Sequence, residues 1–222
     1  MNSLYDFIVK PIGEGRYNNS KKIGEKELIL NTKIESWKFV NRFAKVISTP
    51  LAITSNIKKG DIIVVHQNIF RRFYNMQGKQ TNSRSYFKND LYFAAPDQIY
   101  LYKNKGEWQS FGDRCFIKPI KNSDNIKNRK EQPYVGILKI GNNKLEASNI
   151  NPGDMIGFKP GAEWEFFIDN ERLYCMKSND IVINYLDSCF LISNPVYAAI
   201  SANSDNFKEI LNDPLWKFIL SW

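Results

Sequence analysis

The chain has 222 residues, 43% of them apolar, 14% aromatic and 24% charged, with a formal net charge of +8. That apolar share excludes an intrinsically disordered chain, and the length suffices for one large domain or two of about 100 residues each. The lysines are scattered. No tract reaches the about five or six like charges of a binding tail, so the charge reads as a solvated basic surface. Cys115, Cys175 and Cys189 are odd in number and lack CxxC spacing, which argues against a zinc ribbon or a disulfide framework and for reduced thiols in a cytoplasm. No apolar run approaches the ~20 residues of a membrane span, and no basic-then-apolar leader opens the chain. Abundant Asn, Lys, Ile and Tyr suggest an AT-rich genome, viral or bacterial.

Taken in order, the chain opens with an apolar strand, Phe7 to Ile12, closed by Lys10-Pro11. A proline cannot donate to a ladder and belongs at a strand end or edge. Residues 13–41 are rich in Gly, Asn, Ser and Lys and read as a long mobile loop. Within it Leu28-Ile29-Leu30 is an apolar island between Glu25-Lys26-Glu27 and Asn31-Thr32-Lys33. A strand, Phe43 to Ile47, follows. Then Asn56-Ile57-Lys58-Lys59-Gly60-Asp61 delivers the chain through a Gly-Asp turn into the strand Ile62 to Val65. Phe70-Arg71-Arg72-Phe73-Tyr74, with Lys79, Arg84, Tyr86, Phe87 and Lys88, mixes basic and aromatic residues as single-strand binders do. The plainer expectation is an extended hairpin that packs its aromatics and exposes its arginines. Leu91 to Tyr100 closes the first pass with a Leu-Tyr strand, a polar turn and an Ile-led strand.

The same pattern then recurs. Cys115-Phe116-Ile117-Lys118-Pro119-Ile120 answers the first strand, and residues 121–132 form a shorter polar stretch with Ile126 as its apolar residue. Val135 to Ile140 answers Phe43 to Ile47. Asn149-Ile150-Asn151-Pro152-Gly153-Asp154 repeats the Gly-Asp turn before Met155 to Phe158. Leu173 to Val182 aligns without a gap to Leu91 to Tyr100. Three collinear blocks make an internal duplication the better explanation than chance. The boundary falls near Lys103-Asn104-Lys105-Gly106, dividing the chain into 1–104, 105–186 and a tail, 187–222. Short strands with Gly/Pro turns indicate an all-β fold of two small barrels or sandwiches. In the tail, Ser204-Asp205-Asn206 is placed to cap a short helix burying Phe207, Ile210 and Leu211. Pro214 interrupts it, and Leu215, Trp216, Phe218, Ile219, Leu220 and Trp222 read as packed against a barrel or a neighbouring subunit.

The order of these blocks resembles the chaperonin-10 (GroES-like) co-chaperonins: an Ile/Val-Lys-Pro strand, a long loop, a second strand, a Gly-Asp turn with an apolar strand, a Leu-Tyr strand and an Asp-Ile ending. The second copy carries it through Gly112-Asp113-Arg114, Ile117-Lys118-Pro119, Pro152-Gly153-Asp154 and Ser178-Asn179-Asp180-Ile181. The first carries it through Ile8-Val9-Lys10, Lys59-Gly60-Asp61 and Pro96-Asp97-Gln98-Ile99. Together they cover most of residues 5–185. The resemblance implies two tandem, partly open β-barrels with a partly helical C-terminal tail. It further implies a homo-oligomeric ring that caps a chaperonin large subunit and assists folding without an enzymatic activity. Its docking tripeptide would be Leu28, Ile29 and Leu30, the alternative being that these residues form a strand of the barrel. The sequence departs from the family in having Lys26-Glu27 where paired glycines are common. It also reduces the roof hairpin to Pro50–Ser55 and Asn143–Ser148, a reduction that phage-type co-chaperonins resemble.

Chemistry for an enzyme is sparse. His66 is the single histidine, no Walker or GxGxxG element appears, and no nucleophile is paired with a base. No cofactor, metal or membrane partner is expected, and nucleic acid ranks behind a chaperonin as partner. The rival readings are a viral structural or assembly protein reusing the barrel, and a single-stranded nucleic-acid-binding barrel. The expected location is a cytoplasm, that of the host if the chain is viral.

Overall fold

The computed structural model describes residues 3–13, 15–17, 39–104, 106–121 and 131–185, with the backbone alone at 18–38 limited to 20–23 and 26–29. Leu30, residues 122–130 and the whole tail from 186, with its expected helix and apolar ending, lie outside the described residues. The fold is all-β.

By packing, the chain divides into one unit of Met1–Phe116 with Ile140–Ser148 and another whose described residues are 117–121, 131–139 and 149–185. In chain order the first strands are β1 (Phe7–Pro11), β2 (Ser20–Ile23), β3 (Lys26–Ile29), β4 (Phe43–Ser48), β5 (Ile62–Val65) and β6 (Arg72–Tyr74). They continue as β7 (Gln80–Asn82), β8 (Tyr86–Lys88), β9 (Leu91–Ala94), β10 (Ile99–Asn104) and β11 (Glu107–Ser110). A second set comprises β12 (Arg114–Lys121), β13 (Glu131–Ile140), β14 (Met155–Phe158), β15 (Trp164–Ile168), β16 (Glu171–Lys177) and β17 (Ile181–Tyr185). Among the described residues the single α-helix, α1 (Asn143–Glu146), stands where a reduced hairpin was expected, and the Asn142 side chain caps it by accepting from Leu145 N at 3.1 Å.

The strand order of the larger sheet is β11-β10-β5-β4-β1-β9-β8, and that of the smaller is β15-β16-β12-β13-β14-β17. Setting β11 aside, the two orders are one. β10, β5, β4, β1, β9 and β8 of the first sheet answer β17, β14, β13, β12, β16 and β15 of the second. Among the described residues the outer strands of neither sheet pair with one another. Lys103 and Asn104, where the sequence suggests a boundary, are instead the end of β10, facing Trp108 and Glu107 of β11.

The likeness extends to single hydrogen bonds. In the first Gly-Asp turn, Asp61 Oδ2 accepts from Lys58 N at 2.8 Å, Gly60 N donates to Val46 O at 2.8 Å, and Val46 N donates to Asp61 O at 2.9 Å. In the second, Asp154 Oδ2 accepts from Asn151 N at 2.8 Å, Gly153 N donates to Leu138 O at 2.8 Å, and Leu138 N donates to Asp154 O at 2.9 Å. Gly60 and Gly153 take φ of +97° and +105°, a region where side chains other than glycine are strained. Both sheets also slip register at matching points, between Ile99 and Leu101 opposite Val65 and Val64, and between Gly157 and Phe158 opposite Ile183 and Ile181.

β2, β11 and β15 go unrecognised in the sequence, and β8 is recognised only as part of an extended hairpin; β8 and β15 share one feature. Each leads into a two-residue turn, Asn89-Asp90 between the paired Lys88 and Leu91, and Asp169-Asn170 between the paired Ile168 and Glu171. All four turn residues have φ between 48° and 65°. Type I′ hairpins require positive φ at both central positions, and Asn and Asp tolerate it best after glycine.

The core follows from strand periodicity. Alternate residues share a face, and Phe7/Val9, Ala44/Val46, Ile63/Val65 and Tyr92/Ala94 join Ile69, Phe70 and Ile99 in one buried cluster. In the smaller sheet Ile156/Phe158, Phe166/Ile168 and Leu173/Cys175 are buried in the same alternation. Each buried Val, Leu, Ile or Phe side chain among them contributes about 1.5–3 kcal/mol. Gly136 marks the tightest backbone approach: a Cβ there would overlap Ile117 Cγ2 and sit 2.8 Å from Lys118 O. Gly136→Ala is therefore expected to cost about 1–3 kcal/mol by overpacking, measured as a lowered urea midpoint. An unchanged midpoint would show that β12 and β13 separate freely.

Candidate functional site

The second repeat is a bare version of the fold, so the first is informative where it is longer. Residues 12–42 connect β1 to β4, where only 122–130 connect β12 to β13. Residues 66–85 connect β5 to β8, where only 159–163 connect β14 to β15. Each long connection contains a two-stranded sheet of its own, β2–β3 and β6–β7. Loops on a rigid scaffold are where binding residues concentrate.

The predicted docking residues fall in the first of these. Leu28 and Ile29 belong to β3, facing Lys21 and Ser20 of β2 across an antiparallel register. They are thus in a strand, though in a separate ribbon and not in the main sheet. The third, Leu30, lies outside the described residues.

The foot of this connection is closed by Asn41, only 1% exposed. Its Nδ2 donates to Ile12 O at 2.6 Å and Gly15 O at 2.7 Å, and its Oδ1 accepts from Phe43 N at 2.9 Å. A buried amide needs such partners. Asn41 N also donates to Arg16 O at 2.9 Å, beside a bridge between Tyr17 and Val40.

From the same foot two side chains reach the second insertion. Arg16 donates through Nε to Phe70 O at 3.0 Å, through Nη1 to Asn82 Oδ1 at 2.7 Å and through Nη2 to Arg71 O at 3.5 Å. Its guanidinium lies 5.4 Å from the Tyr92 ring centre. Tyr17 Oη accepts from Arg72 N at 2.6 Å. Burial draws the Arg16 guanidinium below its usual value, but a group that titrates so far above neutrality keeps its charge. These contacts bind the roots of both insertions into one rigid base. No local pattern in the sequence singles out Arg16, Tyr17 or Asn41, because, Phe43 N aside, the hydrogen-bond partners of these side chains lie 26 to 66 residues away.

The β6–β7 hairpin differs from the expectation of packed aromatics and exposed arginines. Phe70 alone is fully buried, edge-on to Tyr92 at 4.9 Å. Phe73 and Tyr74 are 36% and 48% exposed, and Met76 at the tip is fully exposed. Arg71 and Arg72 are the half-buried ones. Long cationic side chains cover apolar surface with their methylenes while the head stays near water.

His66 follows β5 and caps the 3-10 turn Gln67–Ile69, its Nδ1 accepting from Asn68 N at 3.1 Å. Its ring stacks on Tyr100 at 6.2 Å. Burial, with Arg42 and Arg114 adding repulsion, lowers the imidazole below its ordinary 6.5. This geometry is that of a packed capping residue. Cys115 and Cys175 are buried, and among the described residues no cluster of His, Cys, Asp or Glu is placed to hold a metal. No family model matches the chain, and neither does any curated protein.

Arg16→Ala is expected to loosen the β6–β7 hairpin, at about 1–3 kcal/mol for hydrogen bonds removed from partly buried carbonyls. Limited trypsin digestion reads it as faster cleavage at Lys79 and Arg84, while an unchanged rate would mean the hairpin holds without Arg16. His66 binds its proton more readily unfolded than folded, so its contribution is complete above pH 6.5 and declines as pH falls below it. The melting temperature of His66→Asn, which keeps a capping acceptor, should fall less steeply below that pH than the parent's; equal slopes would exonerate His66.

Proposed function

We propose that the chain is a non-enzymatic co-chaperonin of the chaperonin-10 kind, written as two tandem repeats, that docks on a chaperonin large subunit through Leu28, Ile29 and Leu30. The observation that carries the reading is the pairing of a doubled sheet topology with a two-stranded ribbon, β2–β3, in the longer connection of the first repeat. The ribbon β2–β3 sits in the connection after the first strand, the place where the resemblance expects the contact. A lone two-stranded ribbon is marginally stable in water, so seating it on a partner costs ordering entropy and keeps each contact weak and reversible. A ring multiplies such weak contacts into firm capping.

Ring formation has a physical basis in the strand edges. In the first sheet β11 covers the outer edge of β10. Among the described residues nothing pairs with the outer edge of the equivalent β17, where Val182 and Ile183 are 56% and 47% exposed. An uncovered, apolar strand edge invites another chain, and head-to-tail pairing on that edge generates a closed ring when the rotation closes. Among the described residues no helix is long and apolar enough to cross a membrane; the place of action belonging to this reading is a cytoplasm, that of a host if the chain is viral.

Ile29→Asp puts a charge in the centre of the docking tripeptide. The variant is expected to lose nucleotide-dependent co-elution with a chaperonin while retaining the parent's far-UV circular dichroism. Full co-elution by the folded variant would remove Leu28–Leu30 from the interface, and failure of the parent itself to co-elute would sink the co-chaperonin reading.

A further inference from the structure

We propose that the β6–β7 hairpin, together with β8, is a binding surface for single-stranded nucleic acid. It uses none of Leu28, Ile29 and Leu30 and does not depend on the docking role given to them.

Charge is the first observation. Between Gln67 and Asn89 the chain carries Arg71, Arg72, Lys79, Arg84 and Lys88 and not one Asp or Glu. The matching stretch of the second repeat runs the other way, with Glu163, Glu165 and Asp169 against Lys159. The cationic character therefore belongs to the insertion, not to the fold. Lys79, Arg84 and Lys88 are exposed. The Nε atoms of Arg71 and Arg72 have no hydrogen-bond partner, and no ion pair holds either guanidinium among the described residues.

Exposed rings are the second observation. Phe73, Tyr74 and Phe87 leave between 36% and 48% of their surface in water, although Phe70, Tyr86 and Tyr92 beside them are packed edge to face. Cations lie beside two of the exposed rings, Arg71 at 5.2 Å from Phe73 and Lys88 at 5.1 Å from Phe87. Aromatic rings beside cations are what single strands use: bases stack on the rings while lysine and arginine track the phosphates.

The order of residues argues against an acidic protein surface as partner. A protein interface core is a contiguous, desolvated apolar patch, whereas here Phe73, Tyr74 and Met76 are interleaved with Arg71, Arg72, Asn75, Gln77 and Lys79. Such alternation suits a flexible polyanion with a base at every step. The hairpin is also held ready for it: the Arg16 and Tyr17 contacts fix its base, Ser83 Oγ donates to Ile69 O at 2.6 Å, and Asn75 Oδ1 ties the tip through Lys79 N at 2.8 Å. Little ordering remains to be done on binding.

The test is fluorescence anisotropy of the full chain with a labelled oligothymidine of about 12 nucleotides, within the span one small β-barrel covers. Binding is expected to weaken with salt. Tyr74→Ala should lower affinity roughly tenfold and leave the salt slope unchanged. Lys79→Glu with Arg84→Glu should make that slope shallower, by about 0.7 for each phosphate that is no longer neutralised. Circular dichroism establishes that the variants are folded, and Phe87→Ala on β8 serves if Tyr74→Ala is not. No anisotropy change at low salt would overturn the proposal, as would binding that neither ring substitution weakens. Displacement of the oligonucleotide by poly-glutamate at equal charge concentration would also overturn it, in favour of an acidic protein partner.

Discussion

The register of each sheet depends on one hydrogen-bonded turn. Gly60 and Gly153 turn the chain in a conformation closed to other residues, and the aspartate that follows folds back onto the amide three residues earlier. The same turn exchanges two backbone bonds with Val46 or Leu138 on the preceding strand. With both ends of the turn tied, β5 and β14 enter their sheets in a single alignment. A slip by one residue would send Ile63 and Val65, or Ile156 and Phe158, to the opposite face. The buried alternation of both cores is thus downstream of a turn of a few residues.

Once register is set, insertions can grow without disturbing it. The second repeat makes its connections economically, and the first spends residues 12–42 and 66–85 on two additional ribbons. Long surface connections add little closure cost, but unsupported ones remain poorly oriented. Arg16, Tyr17 and Asn41 solve that problem by joining the roots of both connections to each other and to the sheet. The scaffold therefore presents two braced elements of different character: one bearing an apolar tripeptide in a polar setting, the other cationic and aromatic.

The β6–β7 hairpin shows why composition is a poor guide to orientation. Aromatics are buried on average, yet an exposed ring breaks no rule, because apolar atoms make up much of any protein surface. Tyr92 and Phe70 already occupy the space beneath this segment, and the backbone carbonyls there are taken by Arg16. With the interior filled, Phe73 and Tyr74 are left outside and Arg71 and Arg72 are half-buried.

Much of the architecture was legible in the residues alone: the all-β class, the two Gly-Asp turns, the collinear blocks and most of the central strands. Those signals are local, since a turn and a two-residue alternation are written in consecutive residues. The β8 and β15 strands were legible in principle through Asn89-Asp90 and Asp169-Asn170, but short strands beside a turn without glycine carry a weak signal. The pairing of β10 with β11, the common strand order, the closure of the loop foot by Asn41 and the reach of Arg16 to Asn82 belong to the tertiary structure. Each joins residues far apart in sequence, and only the folded backbone brings such donors and acceptors within hydrogen-bond distance.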